Sequence, residues 1–427
     1  MNKTIALSLA ASIIICSTSA ITVTDVSAHQ RWPWNNLIDV DFTIGGAAAG
    51  DTFKIDVKAA YAGGDRTFVA KTFMTDPVVK PGANRVTWDL GADNPGFKAD
   101  DLRVAVTATP FTNGTDGVWM VIDLSGGKDA TSYPVRYTTT PPEHTLGAAG
   151  EPCQTTKMWL KRIKGGSFMF CQGYSSTGYF KVNLTKDYYM GIFECTQQQW
   201  AQVTGEWSSY FSNTAYRASR PCDNLSRQKV FGVNGWPEVQ TPSSGSFISK
   251  MRTRTGLASF NMSTEAQWEW AARCGYAGGM NPSYTYDEIR YNPKGLSYDD
   301  TDFMCSPDEG TVYVGTYPAN PWGLYEMFGN VWEGCIDAGC SETNLRKYYG
   351  SLMGLTEEES TADRVEVDDP IGGPVSGDYK AGYQYWFILR GASWANSNQW
   401  LTLFGRQNNS DNVKGGCRGV RFVVTCE

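Results

Sequence analysis

The stretch GLYEMFGNVWEG, residues 323–334, contains two carboxylates, Glu326 and Glu333, in a segment with almost no other charge. In a straight helix their seven-residue spacing would place them on one face but about 10 Å apart. That separation is too large for one small cation, whose oxygen ligands lie at about 2.3–2.6 Å. A turn at Gly329-Asn330 would close the gap. The alternative is a pair of exposed acids flanking a structural turn.

Nucleophilic hydrolysis has little support in the sequence. His29 and His144 are the two histidines of the chain, which leaves little room for a Ser-His-Asp triad. No convincing Gly-x-Ser-x-Gly elbow accompanies them.

The composition excludes one class of partner. The net charge is −7 and the pI is about 5.1, whereas a surface that follows phosphates should be basic, so nucleic acid is not expected. Glycine (45 of 427 residues) and aromatic residues (13%) are abundant, while charged residues (19%) are few. This composition is typical of a turn-rich chain that is stabilised by the packing of large aromatic side chains.

The N-terminus predicts export. Lys3 precedes TIALSLAASIIIC, an apolar stretch too short to span a bilayer, and small-residue cleavage sites follow at Ala20 and Ala28. We therefore assign residues 1–28 to a signal peptide and expect a secreted, periplasmic or cell-surface protein with no membrane span. Removing Cys16 leaves ten of the 11 cysteines, an even number that suggests disulfides. Cys335 and Cys340 are close enough in sequence to pair locally.

Residues 29–137 predict an all-β, immunoglobulin-like sandwich. Seven segments alternate or run apolar over strand length, with turns such as Lys80-Pro81-Gly82 between them. They are LIDVDFTI, TFKIDVKAAY, RTFVAKTFM, NRVTWDL, LRVAVTATPF, GVWMVIDLS and YPVRYTTT. Residues 138–152, rich in Pro, Gly and Ala, predict a linker. Every cysteine except Cys16 follows this linker, so residues 153–427 form a second predicted domain.

Two helices can be predicted in the second domain. STEAQWEWAARCG has a capping-box pattern at Thr264 and Gln267, and Gly275 can end the helix. TQQQWAQVTG, residues 196–205, gives a weaker helical pattern.

Four stretches of this domain resemble the formylglycine-generating enzyme (sulfatase-modifying factor) family, in the family's order. They are MGIFECTQQQWAQVTG, STEAQWEWAARCG, NPWGLYEMFGNVWEG and LRGASW…GRQN…GVRF, within residues 158–424. The resemblance implies an α+β, C-type-lectin-like domain that is poor in regular secondary structure. It does not include the N-terminal sandwich.

The resemblance also implies a structural calcium site. Matched by position, the carboxylates of Glu326 and Glu333 and the carbonyls of Gly329 and Val331 become its ligands, and mixed carboxylate and carbonyl ligation suits calcium. A second calcium site of the family would fall within residues 291–310, where Asn292 fits.

The resemblance raises an oxidase function that the sequence does not support. The family enzymes oxidise a sulfatase cysteine to formylglycine, using two cysteines that bind copper(I) in the segment after the motif matched here by RGASW. This chain has no cysteine from Ser341 to Gly416. Copper is therefore not expected and no catalytic residue is assigned. Cys417, which comes later, is expected to be a disulfide partner, with a lone redox thiol as the alternative. Related enzymes bind iron through three histidines, and this chain has two.

Amides and aromatic residues cluster where the copper cysteines would lie. We predict a ligand surface built from Asn396, Asn398, Trp400, Asn408 and Asn409, because such side chains suit adaptable recognition and sugar hydroxyls. The alternative is a polar loop that binds nothing. Three functions remain open: a non-catalytic module that binds or displays a glycan or an extracellular protein, a sulfatase-maturation oxidase with an unrecognised site, or a structural surface or matrix component.

Overall fold

The structure is a computed structural model that describes residues 21–31, 35–113, 117–171, 179–207, 209–212, 216–232, 241–275, 310–339, 341–371, 386–396, 402–410 and 415–427, without the side chains of 386 and 408–410. The chain divides into two compact units, Met1–Val121 with Val135–Pro141, and Ile122–Pro134 with Pro142–Glu427. Across the described ranges, no helix has the length and apolar character needed to cross a membrane.

The first unit is built from β-strands and one short helix. The strands are β1 (Thr22–Gln30), β2 (Leu37–Gly45), β3 (Phe53–Tyr61), β4 (Arg66–Val69), β5 (Thr72–Phe73), β6 (Val78–Val79), β7 (Gly82–Asp89), β8 (Arg103–Pro110) and β10 (Val135–Thr138). The helix is α1 (Leu90–Asp93), and a 3-10 turn covers Ala62–Gly64. Strand β9 (Trp119–Asp123) begins in this unit and ends in the other.

Two antiparallel sheets form the sandwich of the first unit. One runs in the order β1-β2-β7-β5-β10, and the other places β3 between β8 and β4, with β6 also paired to β3. Along β3, alternate side chains from Phe53 to Ala59 are buried, as expected for a strand with one face on a core. The core also contains Trp88, which is fully buried. The immunoglobulin-like sandwich predicted from alternation is therefore confirmed.

The two units of the structure have bounds that differ from those of the predicted domains. Strand β1 lies largely within residues 1–28 and pairs along β2, for example Ala28 with Val40, so the sandwich begins before residue 29. Small residues that resemble a cleavage site also fit this strand. Residues 122–134 and 142–152 belong to the second unit. Helix α2 (Pro152–Thr155) begins at the last residue of the Pro- and Gly-rich segment.

The second unit has many short elements. Its strands are β11 (Lys157–Ile163), β12 (Ser167–Met169), β13 (Lys181–Asn183), β14 (Tyr188–Gly191), β15 (Phe260–Met262), β16 (Trp332–Ala338), β17 (Glu366–Asp368), β18 (Trp386–Arg390), β19 (Arg406–Ser410), β20 (Arg418–Gly419) and β21 (Phe422–Thr425). Its further helices are α3 (Gln197–Thr204), α4 (Arg227–Val230), α5 (Phe247–Thr255), α6 (Glu265–Ala272) and α7 (Glu342–Leu352), with a 3-10 turn at Arg217–Ser219.

Three sets of paired strands organise the second unit. Their strand orders include β11-β14-β21-β15, β12-β13-β17 and β19-β18-β16-β20. Both predicted helices are present. Helix α6 has the predicted capping box at Thr264 and Gln267, and all eight of its residues are buried. Helix α3 begins at a second capping box, from Thr196, and ends at Gly205 in the left-handed conformation. The predicted α+β, C-type-lectin-like domain with little regular structure is confirmed.

The cysteines depart from the expected disulfide framework. Among the described cysteines, seven are free thiols: Cys153, Cys171, Cys195, Cys222, Cys274, Cys335 and Cys417. Cys335 is buried and unbonded, so it makes no local disulfide with Cys340, which lies outside the described residues. Cys417 is partly exposed and likewise unbonded.

Candidate functional site

Helix α6 carries two buried carboxylates that hold the strands on either side of the RGASW segment. Arg390, at the end of β18, donates to Glu265 at 2.9 Å and to Glu269 at 2.7 Å. Arg406, at the start of β19, donates to the other oxygen of Glu265 at 2.8 Å. The four side chains are at most 5% exposed, so these charge-assisted bonds are shielded from water. Residues 391–405 thus begin and end on fixed anchors.

The RGASW segment packs directly on the Gly329-Asn330 turn. The Gly329 N–H donates to the Gly391 carbonyl at 2.8 Å, and the Trp394 N–H donates to the Asn330 carbonyl at 2.9 Å. Gly391 has a φ of +87°, and a Cβ there would lie 2.8 Å from the Met327 carbonyl oxygen. This approach requires glycine. The RGASW stretch and the stretch that contains the Gly329-Asn330 turn, both of which carry the family resemblance, are therefore hydrogen-bonded to each other.

Glu326 is buried and accepts backbone hydrogen bonds. The Gly315 N–H donates to one of its oxygens at 2.9 Å and the Tyr317 N–H to the other at 3.1 Å. Burial raises the pKa of Glu326 to about 7, against the lowering effect of those two hydrogen bonds. Glu326 itself has a φ of +45°, so the turn between the two acids begins at this residue.

Glu333 is paired with a guanidinium. Arg421 donates to it at 2.6 Å and 3.0 Å, and Trp268 Nε1 donates to it at 2.8 Å. Burial would lower the pKa of Arg421, but the charge and hydrogen bonding of Glu333, together with the charges of Glu194 and Glu326, raise it. As arranged, both oxygens of Glu333 are satisfied by N–H donors, which is the environment of an ion pair and not of a cation ligand.

A third buried acid, Glu194, completes the surroundings of the turn. It accepts from the Asn330 side-chain amide at 2.6 Å and from the Val331 N–H at 3.2 Å. Burial and the nearby charge of Glu333 raise its pKa well above the ordinary value. Sequence reasoning missed Glu194, although a lone acid in the apolar stretch MGIFEC was a visible signal.

The two carboxylates among the predicted calcium ligands thus already accept hydrogen bonds from other groups of the protein. Glu326, Gly329, Val331 and Glu333 share one turn, but Glu333 fits its guanidinium partner better than a metal ion. The calcium site therefore stays a prediction, and no step of function is derived through it. Asn292, predicted for the second site, lies outside the described residues.

The predicted ligand surface is described only in part. Asn396 is half-buried, and its side-chain carbonyl accepts from the N–H and the hydroxyl of Ser393. This oxygen is therefore bonded within its own loop. Asn408 and Asn409 lie in β19, opposite Ile388 and Phe387 of β18. Asn398 and Trp400 lie outside the described residues.

Three exposed aromatic side chains, which sequence reasoning missed, lie on the segment after α3. We call Trp207, Tyr210 and Tyr216 the aromatic surface; they are 41%, 71% and 51% exposed. Arg217 stacks over Trp207, with 4.5 Å from Cζ to the ring centroid, which holds the indole in place. Exposed apolar side chains that form a contiguous patch mark candidate interaction sites. Their signal was the run GEWSSYFSNTAY, in which aromatic residues alternate with small polar ones.

The aromatic surface adjoins the RGASW segment. The ring of Phe211, next to Tyr210, lies 5.4 Å from that of Trp394 in an edge-on contact. Trp394 Nε1 donates to the Gly416 carbonyl at 2.9 Å. A Cβ on Gly416 would lie 3.1 Å from the Tyr210 ring. The loops after β18 and β19 and the aromatic surface therefore meet in one region of the second unit.

Comparison with known proteins establishes the family. The family model described as "Sulfatase-modifying factor enzyme 1-like domain" matches residues 147–426. The chain therefore belongs to this formylglycine-generating-enzyme-like family, and the resemblance seen in the four sequence stretches is confirmed.

Several relatives share parts of this domain. A serine/threonine-protein kinase pkn1 of Chlamydia caviae is 31% identical over 173 residues, 39% of this chain and 22% of the relative. The chaperone protein LppX of Paenibacillus barcinonensis is 28% identical over 204 residues, 41% of this chain and 70% of the relative. The formylglycine-generating enzyme of Mycobacterium tuberculosis is 40% identical over 78 residues, 16% of this chain and 24% of the relative. The chain thus spans about a fifth of the kinase's length.

Solved structures show similar chains at low identity. Treponema denticola variable protein 1 is 21% identical with a TM-score of 0.43, covering 67% of this chain and 99% of that one. PvdO from Pseudomonas aeruginosa is 16% identical with a TM-score of 0.44, covering 66% of this chain and 98% of that one.

Proposed function

We propose that the second unit is a non-catalytic binding module that recognises a glycan or an extracellular protein through the aromatic surface and the adjoining loops. The observation that carries this proposal is the exposure of Trp207, Tyr210 and Tyr216 next to the RGASW segment. Aromatic faces stack on sugars and form the anchors of protein interfaces, at low cost in conformational entropy.

The state of the thiols supports a non-catalytic role. The thiolate is the form that attacks a substrate, so a raised pKa disfavours a cysteine nucleophile. Burial raises the pKa of six thiols, three of them to about 12. They are Cys153, Cys222 and Cys274 at about 12, and Cys171, Cys195 and Cys335. The sequence also lacks a cysteine from Ser341 to Gly416, where the family's copper pair lies.

The experiment compares two matched sets of exposed side chains on a glycan and protein array. The test variant is Trp207→Ala, Tyr210→Ala and Tyr216→Ala together. The control is Leu352→Ala with Met353→Ala, which removes two exposed apolar side chains at the end of α7, 67% and 49% exposed. We expect binding by the wild type and the control and none by the test variant. A second set, Asn396→Ala, Trp400→Ala and Asn409→Ala, tests the amide part of the surface.

The oxidase alternative has one specific feature in its favour, the partly exposed free thiol of Cys417. Incubation with copper, oxygen and a sulfatase-motif peptide decides it. Conversion of the peptide cysteine by the wild type but not by Cys417→Ser would establish a formylglycine-generating activity. An unchanged peptide mass removes it. The structural-component alternative predicts self-assembly without any array ligand.

Export, disulfides and calcium complete the proposal. We propose cleavage after Ala20, because this site leaves strand β1 whole, whereas cleavage after Ala28 would remove most of it. An oxidising compartment would then allow Cys195 and Cys222, which face each other in the second unit, to form a disulfide. A structural calcium ion at Glu326 and the carbonyls of Gly329 and Val331 would raise the melting temperature, and chelation would reverse that rise.

A further inference from the structure

Three side chains with metal-binding atoms converge around α2. His144 Nδ1 lies 2.5 Å from Glu151 Oε2, and Cys153 Sγ lies 3.9 Å from the same oxygen. One ligand atom of each side chain lies within 4.8 Å of the other two. Over the ranges that the structure describes, no other set of three His, Cys, Asp or Glu side chains has this property. All three residues belong to the second unit.

The chemistry of this set selects one class of ion. An imidazole nitrogen, a carboxylate oxygen and a thiolate sulfur are the ligands that zinc takes in proteins. Calcium and magnesium prefer oxygen alone. Three protein ligands would leave the fourth tetrahedral position of zinc open for water or another small ligand.

The surroundings of His144 have the pattern expected around a metal-binding histidine. Its Nε2 lies 3.2 Å from the Gly315 carbonyl oxygen. In the tautomer with its proton on Nε2, this N–H donates to that carbonyl, and the Nδ1 lone pair is available to a metal ion beside Glu151 and Cys153. Such a bond to a backbone carbonyl fixes the tautomer and the ring orientation of a metal ligand. Glu151 is held in turn by the Thr145 N–H at 3.0 Å.

The imidazole is also fixed by its packing. The rings of Phe193 and Tyr325 meet it edge-on at 5.2 Å each, and the side chain is 3% exposed. Gly315 has a φ of +74°, and a Cβ there would lie 2.3 Å from His144 Nε2. The site therefore requires glycine at this position. Glu151, 21% exposed, leaves a path for an ion from solvent.

We propose that His144 Nδ1, the Glu151 carboxylate and the Cys153 thiolate bind one zinc ion. With ligands at about 2.0 Å, the nitrogen and oxygen would lie about 3.3 Å apart, so their present separation must widen by about 0.8 Å. Zinc replaces the proton on the Cys153 sulfur, and that proton is released to solvent.

Zinc binding has a structural consequence for the rest of the unit. It would tie residues 144–153 to the loop that contains Gly315, through His144. The Gly315 N–H donates to Glu326, so this loop also sets the position of the acid at the start of the turn. Zinc would therefore stabilise the segment that supports the RGASW loop.

Cobalt and zinc titrations of the metal-free full chain test the proposal. We expect one zinc ion per chain by elemental analysis, and a thiolate-to-cobalt charge-transfer absorption on adding cobalt. Cys153→Ser should abolish that absorption, and His144→Gln and Glu151→Gln should each weaken zinc binding at least about tenfold. Cys426→Ser, which changes a partly exposed thiol outside the cluster, should bind zinc as the wild type does.

A positioning variant separates a metal site from a simple ion pair. Gly315→Ala keeps all three ligands but displaces the imidazole, so it should lower zinc affinity and lower the zinc-induced rise in melting temperature. Circular dichroism of each variant checks that it is folded. A folded wild type that binds no zinc would overturn the proposal. So would a cobalt charge-transfer absorption that survives in Cys153→Ser.

Discussion

Arg421 and Glu333 form a buried, bidentate ion pair. Arg421 Nε lies 3.0 Å from both carboxylate oxygens, and Nη2 lies 2.6 Å from one of them. The same guanidinium donates to the carbonyls of Gly191, Ile192 and Tyr325 at 2.7–3.0 Å. One side chain of the GVRF stretch thus connects strand β14, strand β16 and the segment before the Gly329-Asn330 turn.

Arg421→Met should strongly destabilise the second unit. Removing the guanidinium leaves the Glu333 charge buried without a partner, which costs about 3–5 kcal/mol. Urea denaturation measures this loss. The control is Lys347→Met, which breaks the more exposed pair with Glu357 and should cost at most about 1 kcal/mol. Equal effects of the two variants would contradict the importance of the buried pair.

In the metal-free protein, kept in a chelator, Glu326 should make stability fall as the pH rises. Its pKa is raised from 4.5 to about 7 in the folded protein, so the folded state holds the proton over a range in which the unfolded state has lost it. The contribution is complete below about pH 4.5 and is lost as the pH rises through about 7. The shift corresponds to on the order of 3 kcal/mol.

The measurement is the free energy of unfolding between those pH values. Glu326→Gln cannot titrate and should show a flatter profile than the wild type, while Glu194, whose pKa is also raised, titrates in both. Parallel profiles of the two proteins would show that Glu326 does not titrate in this range.

Cys195 and Cys222 should form a disulfide under oxidising conditions. Thr196 and Pro221 form an antiparallel bridge, which places these two cysteines directly opposite each other, and the Cys222 N–H donates to the Cys195 carbonyl at 2.7 Å. The Cα atoms of such a pair lie about 5.5 Å apart, within the range for a disulfide.

Peptide mapping after mild oxidation detects this bond. It should raise the free energy of unfolding by about 3 kcal/mol through its loop, and Cys195→Ala should remove that gain. Cys335→Ala is the control, because this buried thiol contacts the Ser263 hydroxyl at 3.8 Å, away from the pair. Oxidised protein in which Cys195 and Cys222 stay reduced would refute the pairing.

Arg390→Lys should behave as a severe change despite keeping the charge. The guanidinium bonds Glu265 and Glu269 at once, and an ammonium group cannot reproduce that fork. We expect a loss of about 1–3 kcal/mol in urea denaturation. The control is Arg31→Lys, in the Arg31–Asp39 pair, where the arginine side chain is 41% exposed; this change should cost less free energy of unfolding. A smaller loss for Arg390→Lys than for Arg31→Lys would contradict the fixed anchor.

Local patterns predicted much of the fold. Alternation along β2 and β3 and the two capping boxes at Thr196 and Thr264 depend on neighbouring residues, so the sequence shows them directly. The domain boundaries depend on long-range packing and were harder to place. Strand β1 illustrates this, because its pairing with β2 cannot be seen in a segment that also resembles a cleavage site.

The candidate site was predicted less completely, for the same physical reason. The sequence singled out Glu326 and Glu333, but their partners Gly315 and Arg421 are distant along the chain. A carboxylate's role follows from the donors that fold around it, and these are set by tertiary structure. His144 lies in a segment that the sequence predicts to be a linker. In the structure its imidazole lies against the Gly315 carbonyl, a contact that the sequence does not reveal.

Array binding of the aromatic surface tests the central proposal most directly. The wild type and the Leu352→Ala, Met353→Ala control should bind the same glycan or protein ligand, and the variant lacking Trp207, Tyr210 and Tyr216 side chains should not, although it is equally stable. Undiminished binding by that stable variant, or no ligand for the wild type together with copper-dependent oxidation of a sulfatase peptide, would contradict the account.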